Sequence, residues 1–191
     1  MAERVCPWWI GYLLASPLRK WWMQSPEKLL APFVKPGMMV LEPGPGMGFF
    51  TLPLARMTGP SGRVIAVDIQ PRMLESLRRR AARAGLSERI ETRLAQPDCM
   101  GLDDLKASVD FVLAFAVVHE LPSVESFFRE VAGALKTGGT LLLAEPTGHI
   151  TPALFQKELA AAHAAGFQET GRPAVPRSLT VVLAKTIPSA A

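Results

Sequence analysis

The run VDFVLAFAVV, Val109 to Val118, is too continuous in apolar residues to have a wet face, so it reads as a strand buried on both sides. MMVLE (38–42), RVIAVDI (63–69), RIETRLA (89–95) and TLLLAEP (140–146) read as further strands. Amphipathic stretches with helix punctuation lie among them. In PRMLESLRRRAARAG, Pro71 suits the first turn, Met73, Leu74, Leu77 and Ala81 share one face, and Gly85 is a stop. SVESFFREVAGAL starts from Ser123 and is ended by KTGG (136–139), while TPALFQKELAAAHAAG starts from Thr151 with Pro152 first. GFFTLPLARM (48–57) is a helix with Pro53 in its early turns, and SPEKLLAPFV is a short helix capped by Ser25. GFQETGR and RSLTVVLAKT close the chain as two strands with no helix between them. Strand and helix alternate five times, which predicts an α/β fold with a mostly parallel sheet, helices on both faces and one antiparallel edge.

A chain of 191 residues suits one hydrophobic core, and no linker or repeat divides it. Residues 1–35 read as an appendage, an aromatic arm followed by a helix, and 36–191 as the domain it packs on. CPWWIGYLLASPLRKWWMQSP holds all four tryptophans and the one tyrosine, which are costly to leave exposed. The arm is therefore expected to act as a lid over the crevice of the sheet, with a homodimer contact or a weak membrane contact as the other readings. Its apolar core is too short to span a bilayer, and it lacks the basic start and cleavage site of a signal peptide. Cys6 and Cys99 form neither a CxxC pair nor a zinc spacing, so a reducing cytoplasm is the default compartment. A net charge of +4 is mild, and the arginines of ESLRRRAARAG read as a solvated helix face that points away from nucleic acid as partner.

The informative turn is GPGMG, where Gly44, Gly46 and Gly48 follow the strand ending at Glu42 and open a helix. In such a sheet, ligands bind beyond the carboxyl ends of the strands. Glycines let a ligand approach the main chain, and Asp68, at the tip of the second strand, can accept both hydroxyls of a ribose. The spacing fails the dinucleotide pattern, because the sixth position from Gly44 is Phe49, and no Gly-Lys-Ser/Thr is present. A ribose-bearing cofactor without phosphates fits better.

VLEPGPGMG resembles the first motif of the class I S-adenosylmethionine-dependent methyltransferases, Glu-x-Gly-x-Gly-x-Gly. VIAVDIQPRML resembles their second element, with Asp68 as ribose ligand and Ile69 beside it. AQPDCMGL resembles the loop after their third strand, which implies that Asp98 bonds the adenine amino group and that Cys99 lines its pocket. FAVVHELPSVESFFREVAGALKTGGTLLLAEP resembles the small-molecule branch, the menaquinone and ubiquinone methyltransferase-like proteins. The resemblance covers about residues 30 to 185. It implies S-adenosylmethionine as cofactor, a small-molecule acceptor, and a seven-stranded Rossmann-like sheet in the order 3-2-1-4-5-7-6 with the last strand antiparallel. Two departures stand out: Pro45 removes one amide from the glycine turn, and AVVHELP replaces the Asn/Asp-Pro-Pro-Tyr/Phe of many amino-methylating enzymes.

The acceptor is expected beside the ends of the fourth and fifth strands, where His119, Glu120, Glu145 and His149 fall. A histidine near neutral pKa can take a proton from a phenol, enol or thiol, so His119 and His149 are the candidate bases, with Glu145 as the catalytic carboxylate near them. A packing role for His119, or a metal shared by His119, His149 and Glu145, are the competing readings, and no resident metal is expected. His163 reads as a surface or helix-packing residue. Methylation of RNA or protein, or cofactor binding without catalysis, are the alternatives to a small-molecule enzyme.

Overall fold

A computed structural model describes residues 25–186. The arm up to residue 24, with Cys6, the tryptophans and the tyrosine, lies outside the described residues. The chain divides into two compact units, one up to Ala95 and one from Gln96 onward.

In the first unit, α1 (Pro26–Leu30) precedes β1 (Met39–Pro43), α2 (Thr51–Met57), β2 (Arg63–Asp68), α3 (Pro71–Arg83) and β3 (Ile90–Leu94). β1 and β2 are parallel from Met39 opposite Arg63 to Pro43 opposite Val67, and β2 and β3 are parallel in turn. α3 packs on β2 and β3, burying Met73, Leu74, Leu77 and Ala81, the face that the 3.6-residue spacing predicts. Gly85, at φ +68°, ends it as expected. Ser25 stands before α1, but its hydroxyl donates to Glu27 rather than capping the helix. Val40, Leu41, Leu54, Val64, Ile65 and Leu77 have no solvent exposure, and each such side chain contributes about 1.5–3 kcal/mol relative to exposure.

The second unit runs β4 (Val109–Phe115), α4 (Val124–Ala134), β5 (Leu135–Pro146), α5 (Pro152–Ala164), β6 (Phe167–Gly171) and β7 (Ser178–Lys185). β4 pairs with β5 in parallel, and β7 runs antiparallel to both β5 and β6. Ser123 and Thr151 cap α4 and α5, accepting from the N–H groups of Ser126 and Leu154. Phe111, Leu113, Phe128, Leu141, Leu143 and Leu183 form its core. KTGG follows the end of α4, as expected of a helix stop, but lies within the strand that comes next. Val109 pairs with Leu135 and Phe111 with Thr140, so residues 136–139 bulge out within a long β5. β3 and β4 are joined with only a 3₁₀ turn at Asp103–Leu105. The full strand order is β3-β2-β1-β4-β5-β7-β6, the order that the resemblance implied.

Candidate functional site

The glycine turn of the first unit is built by its backbone. Gly44 N–H bonds to the Val67 carbonyl at the end of β2, and Gly48 N–H to the Pro45 carbonyl, so Pro45 contributes its carbonyl where it lacks an amide. Gly46 has φ +53°, and a Cβ there would meet nothing within 4 Å, so the turn presents bare backbone to open space. Gly48 has φ +86°, and a Cβ would strike Leu77 Cδ1 at 2.5 Å, which explains the close seating of the turn on α3. Arg80, one turn further along α3, donates to the carbonyl of Met47.

Glu42 Oε2 and Thr51 Oγ1 are buried at this turn without a well-formed hydrogen bond, although the Thr51 hydroxyl lies near enough to act on the Glu42 carboxyl. Burial pushes the Glu42 carboxyl up to about 8; the Thr51 hydroxyl pulls against this, and Asp68 adds to it. Buried polar groups without well-formed bonds, at a turn with open main chain, fit a ligand that brings N–H donors or positive charge. At the tip of β2, the Asp68 carboxylate is oriented by the N–H of Gln70 at 2.8 Å, and Ile69 is an exposed large apolar side chain next to it. These residues suit a nucleoside with a cationic amino-acid end, which is what S-adenosylmethionine presents.

In the second unit, Gln96 and Cys99 close a tight turn that carries Asp98 at its tip. Glu130 of α4 holds the following strand of loop by accepting from Met100 N–H and Gly101 N–H. Cys99 is exposed rather than buried, with Sγ 3.9 Å from Glu130 Oε2. Glu130 was not anticipated from the sequence, where it is one acid among several on an amphipathic helix.

The ends of β4 and β5 bring together the acidic and histidine candidates of this unit. Ala116 takes φ +56°, a conformation that costs a residue with a Cβ about 1–3 kcal/mol. Beyond it, the N–H groups of Val117 and Val118 both reach Glu145 Oε1, at 3.2 and 2.8 Å. Glu145 is wholly buried, and its Oε2 accepts from His119 Nδ1. That bond puts the proton of a neutral imidazole on Nδ1, leaving Nε2 as an acceptor, and Nε2 is buried with no hydrogen-bond partner. The Glu145 hydrogen bond raises the His119 pKa, burial opposes the rise, and the charges of Glu145, Glu120 and Glu158 add to it. His149 is exposed, and its ring lies edge-on to His119 with centroids 5.3 Å apart. His163 is exposed at the far end of α5. Among the described residues no three His, Cys, Asp or Glu side chains are grouped to hold a metal ion.

Glu158 is the residue that sequence reasoning missed. It is 4% exposed on α5, on the same face as Phe155, Leu159 and Ala162, and its Oε2 has no partner. The signal was present: positions 155, 158, 159 and 162 trace one helical stripe, and an acid within an apolar stripe is conspicuous.

The methyltransferase domain family model matches residues 41–143, more than half of the chain. An arsenite methyltransferase of Halobacterium salinarum is 32% identical over 58% of this chain and 27% of its own length. A ubiquinone biosynthesis O-methyltransferase of Methylocella silvestris is 33% identical over 62% of this chain and 44% of its own. The chain thus spans about a quarter to a half of these curated relatives. Among solved structures, an S-adenosylmethionine-dependent methyltransferase from Aquifex aeolicus superposes with a TM-score of 0.82 at 25% identity, over 96% of this chain and all of the other. No helix among the described residues is long and apolar enough to cross a membrane. With a sheet order that agrees with these matches, the chain belongs to the methyltransferase domain family, as a class I S-adenosylmethionine-dependent member with ubiquinone and menaquinone methyltransferases among its relatives.

Proposed function

We propose that the protein methylates a small-molecule acceptor and that His119, oriented by Glu145, takes the proton the acceptor must lose. The observation that carries this reading is the unpartnered His119 Nε2, held in acceptor form because Nδ1 is committed to a buried carboxylate. S-adenosylmethionine, when bound, supplies a methyl group already activated on a sulfonium sulfur. Glu42, the open backbone at Gly46, Asp68 with Ile69, and Asp98 with Cys99 are the residues assigned to hold it. Much of the remaining catalysis is positioning of the acceptor. His119 accepts the acceptor's proton at Nε2, and the Glu145 carboxylate stabilises the imidazolium that results. His149, edge-on to His119, is assigned to the wall of the acceptor site.

Residues 1–35 are proposed as a lid, on the concentration of tryptophans in so short a segment and the gain that methyl transfer draws from excluding water. The ubiquinone and menaquinone relatives support an apolar or planar acceptor. The test is a single-turnover assay across pH on acceptors found by screening cell metabolites with labelled S-adenosylmethionine. His119→Ala is expected to slow the chemical step by roughly 10²- to 10⁴-fold. An unchanged rate would reduce His119 to a packing residue.

A further inference from the structure

We infer that Glu130 is a positioning residue of the cofactor site: it holds the loop that follows Asp98 and so sets how selectively that aspartate reads the adenine ring. The inference deepens the reading above and rests on it for the assignment of Asp98 to the cofactor. Its grounds lie in how the segment from Gln96 to Ser108 is fastened to α4.

The far end of the segment is fastened by main chain. Ala107 N–H bonds to the carbonyl of Gly133, and Ser108 N–H to that of Ala134, both at 2.9 Å. These carbonyls belong to the last turn of α4, where no donor within the helix reaches them, so each bond satisfies both partners. Buried Leu102 and Leu105 secure the middle, where the 3₁₀ turn at Asp103–Leu105 packs on α4. The near end is different. Gln96, Pro97, Asp98 and Cys99 are all exposed, so burial does not fix them. The two main-chain bonds between Gln96 and Cys99 are internal to their turn.

Glu130 ties this near end to α4. Its Oε2 accepts from Met100 N–H at 3.0 Å and from Gly101 N–H at 3.2 Å, and its Oε1 lies 3.2 Å from the Met100 nitrogen. Cys99 Sγ, a weak donor, is 3.9 Å from Oε2. Glu130 thus meets the three residues that follow Asp98, and a carboxylate accepting from amides holds them more strongly than a neutral acceptor would. Helix packing does not require an acid there, because α4 buries Phe127, Phe128, Val131 and Ala134 while Glu130 is half-buried.

Position matters for what Asp98 can tell apart. The amino group of adenine donates to a carboxylate, whereas the carbonyl that replaces it in hypoxanthine repels one. An aspartate held in place separates the two; on a loose loop it withdraws from both, and selectivity falls faster than affinity.

The test compares binding of S-adenosylhomocysteine with that of S-inosylhomocysteine, by calorimetry on the full chain. Two variants separate reach from charge. Glu130→Gln keeps an oxygen able to take the place of Oε2, and should hold the wild-type ratio of affinities to within about threefold. Glu130→Asp keeps the charge but is shorter by one methylene, and should lower the ratio by about tenfold. Amide exchange at Met100 and Gly101, followed by NMR, should quicken in Glu130→Asp and stay slow in Glu130→Gln. Should Glu130→Asp not melt cooperatively, Glu130→Ala takes its place with the same expected loss. Asp98→Ala is the control and should lower the ratio at least as far. Equal weakening of both ligands in Glu130→Asp, or an unchanged ratio there beside a lowered one in Asp98→Ala, overturns the inference and leaves Asp98 in its role. An equal loss of selectivity in Glu130→Gln and Glu130→Asp also overturns it, since an acceptor of the right reach would then not suffice. A wild type that does not distinguish the ligands, or an Asp98→Ala variant with the wild-type ratio, removes the Asp98 assignment and the inference with it.

Discussion

The glycine turn of the first unit and the His119–Glu145 cluster of the second are built by opposite means. The turn is made of main chain: three glycines, a carbonyl held by Arg80, and amide bonds that fix its path. The cluster is made of side chains from the turn after β4 and from β5, and its main chain serves them, with Ala116 in a costly conformation so that two amides reach Glu145. A site of main chain suits a cofactor whose shape never changes. A site of side chains can be retuned for a new acceptor by a few substitutions on an unchanged sheet. The comparison therefore predicts that damage to the two regions will separate into binding and chemistry.

The largest effect is expected at Gly46. Gly46→Val puts a branched side chain into a left-handed conformation and into the open space above the turn, and S-adenosylmethionine binding should be lost altogether in calorimetry. Retained binding would show that the ligand does not approach this backbone.

Next in size is Glu145→Gln. The amide oxygen can still accept from Val117 and Val118, but its NH₂ then faces His119 Nδ1 and selects the tautomer with the proton on Nε2. A base with its acceptor atom already protonated cannot work, so single-turnover rates should fall roughly a hundredfold or more while cofactor affinity holds. In the wild type the rate should rise with pH through a His119 pKa above the ordinary 6.5, since the Glu145 hydrogen bond raises it.

A smaller effect concerns stability. Glu158 and Glu42 have folded pKa values raised to about 8, so both bind protons more tightly in the folded chain than in the unfolded one. Stability from these groups is complete below the ordinary 4.5 and declines as pH rises through 8; His119, also raised, contributes to the decline above 6.5. Melting temperature should therefore fall from pH 5 to pH 9, and Glu158→Gln should flatten the fall in part, leaving the share of Glu42 and His119. An identical slope in the variant would mean that Glu158 is not held in its protonated form.

The difference between the regions also explains what could be read from the sequence. GPGMG after an apolar run, with Asp68 a strand later, is a local pattern, and the strand-to-helix rhythm that surrounds it set the sheet order through the family it resembles. His119 and Glu145 were readable as polar residues at strand ends, but their bond spans 26 residues and depends on the register of β4 against β5. Glu158 lies on a helix that Thr151 and Pro152 mark only at its start, and its burial shows in the spacing of Phe155, Leu159 and Ala162 around it. KTGG reads as the stop of the preceding helix, and its place as a bulge within β5 depends on the pairing of Leu135 and Thr140 with β4. Local backbone chemistry is written in adjacent residues; a side-chain cluster is written in register, which adjacent residues do not show.

One calorimetric series tests the separation of the two regions most directly: S-adenosylmethionine titrated into wild type, Asp68→Ala and His119→Ala in one buffer. The wild type should bind with a micromolar dissociation constant, about −7 to −8 kcal/mol. Asp68→Ala should weaken binding by roughly 1.5–3 kcal/mol through lost charged hydrogen bonds, and His119→Ala should match the wild type. Wild-type affinity in Asp68→Ala together with weakened binding in His119→Ala would contradict the account, because it would place the cofactor at the histidine cluster and leave the glycine turn without a ligand.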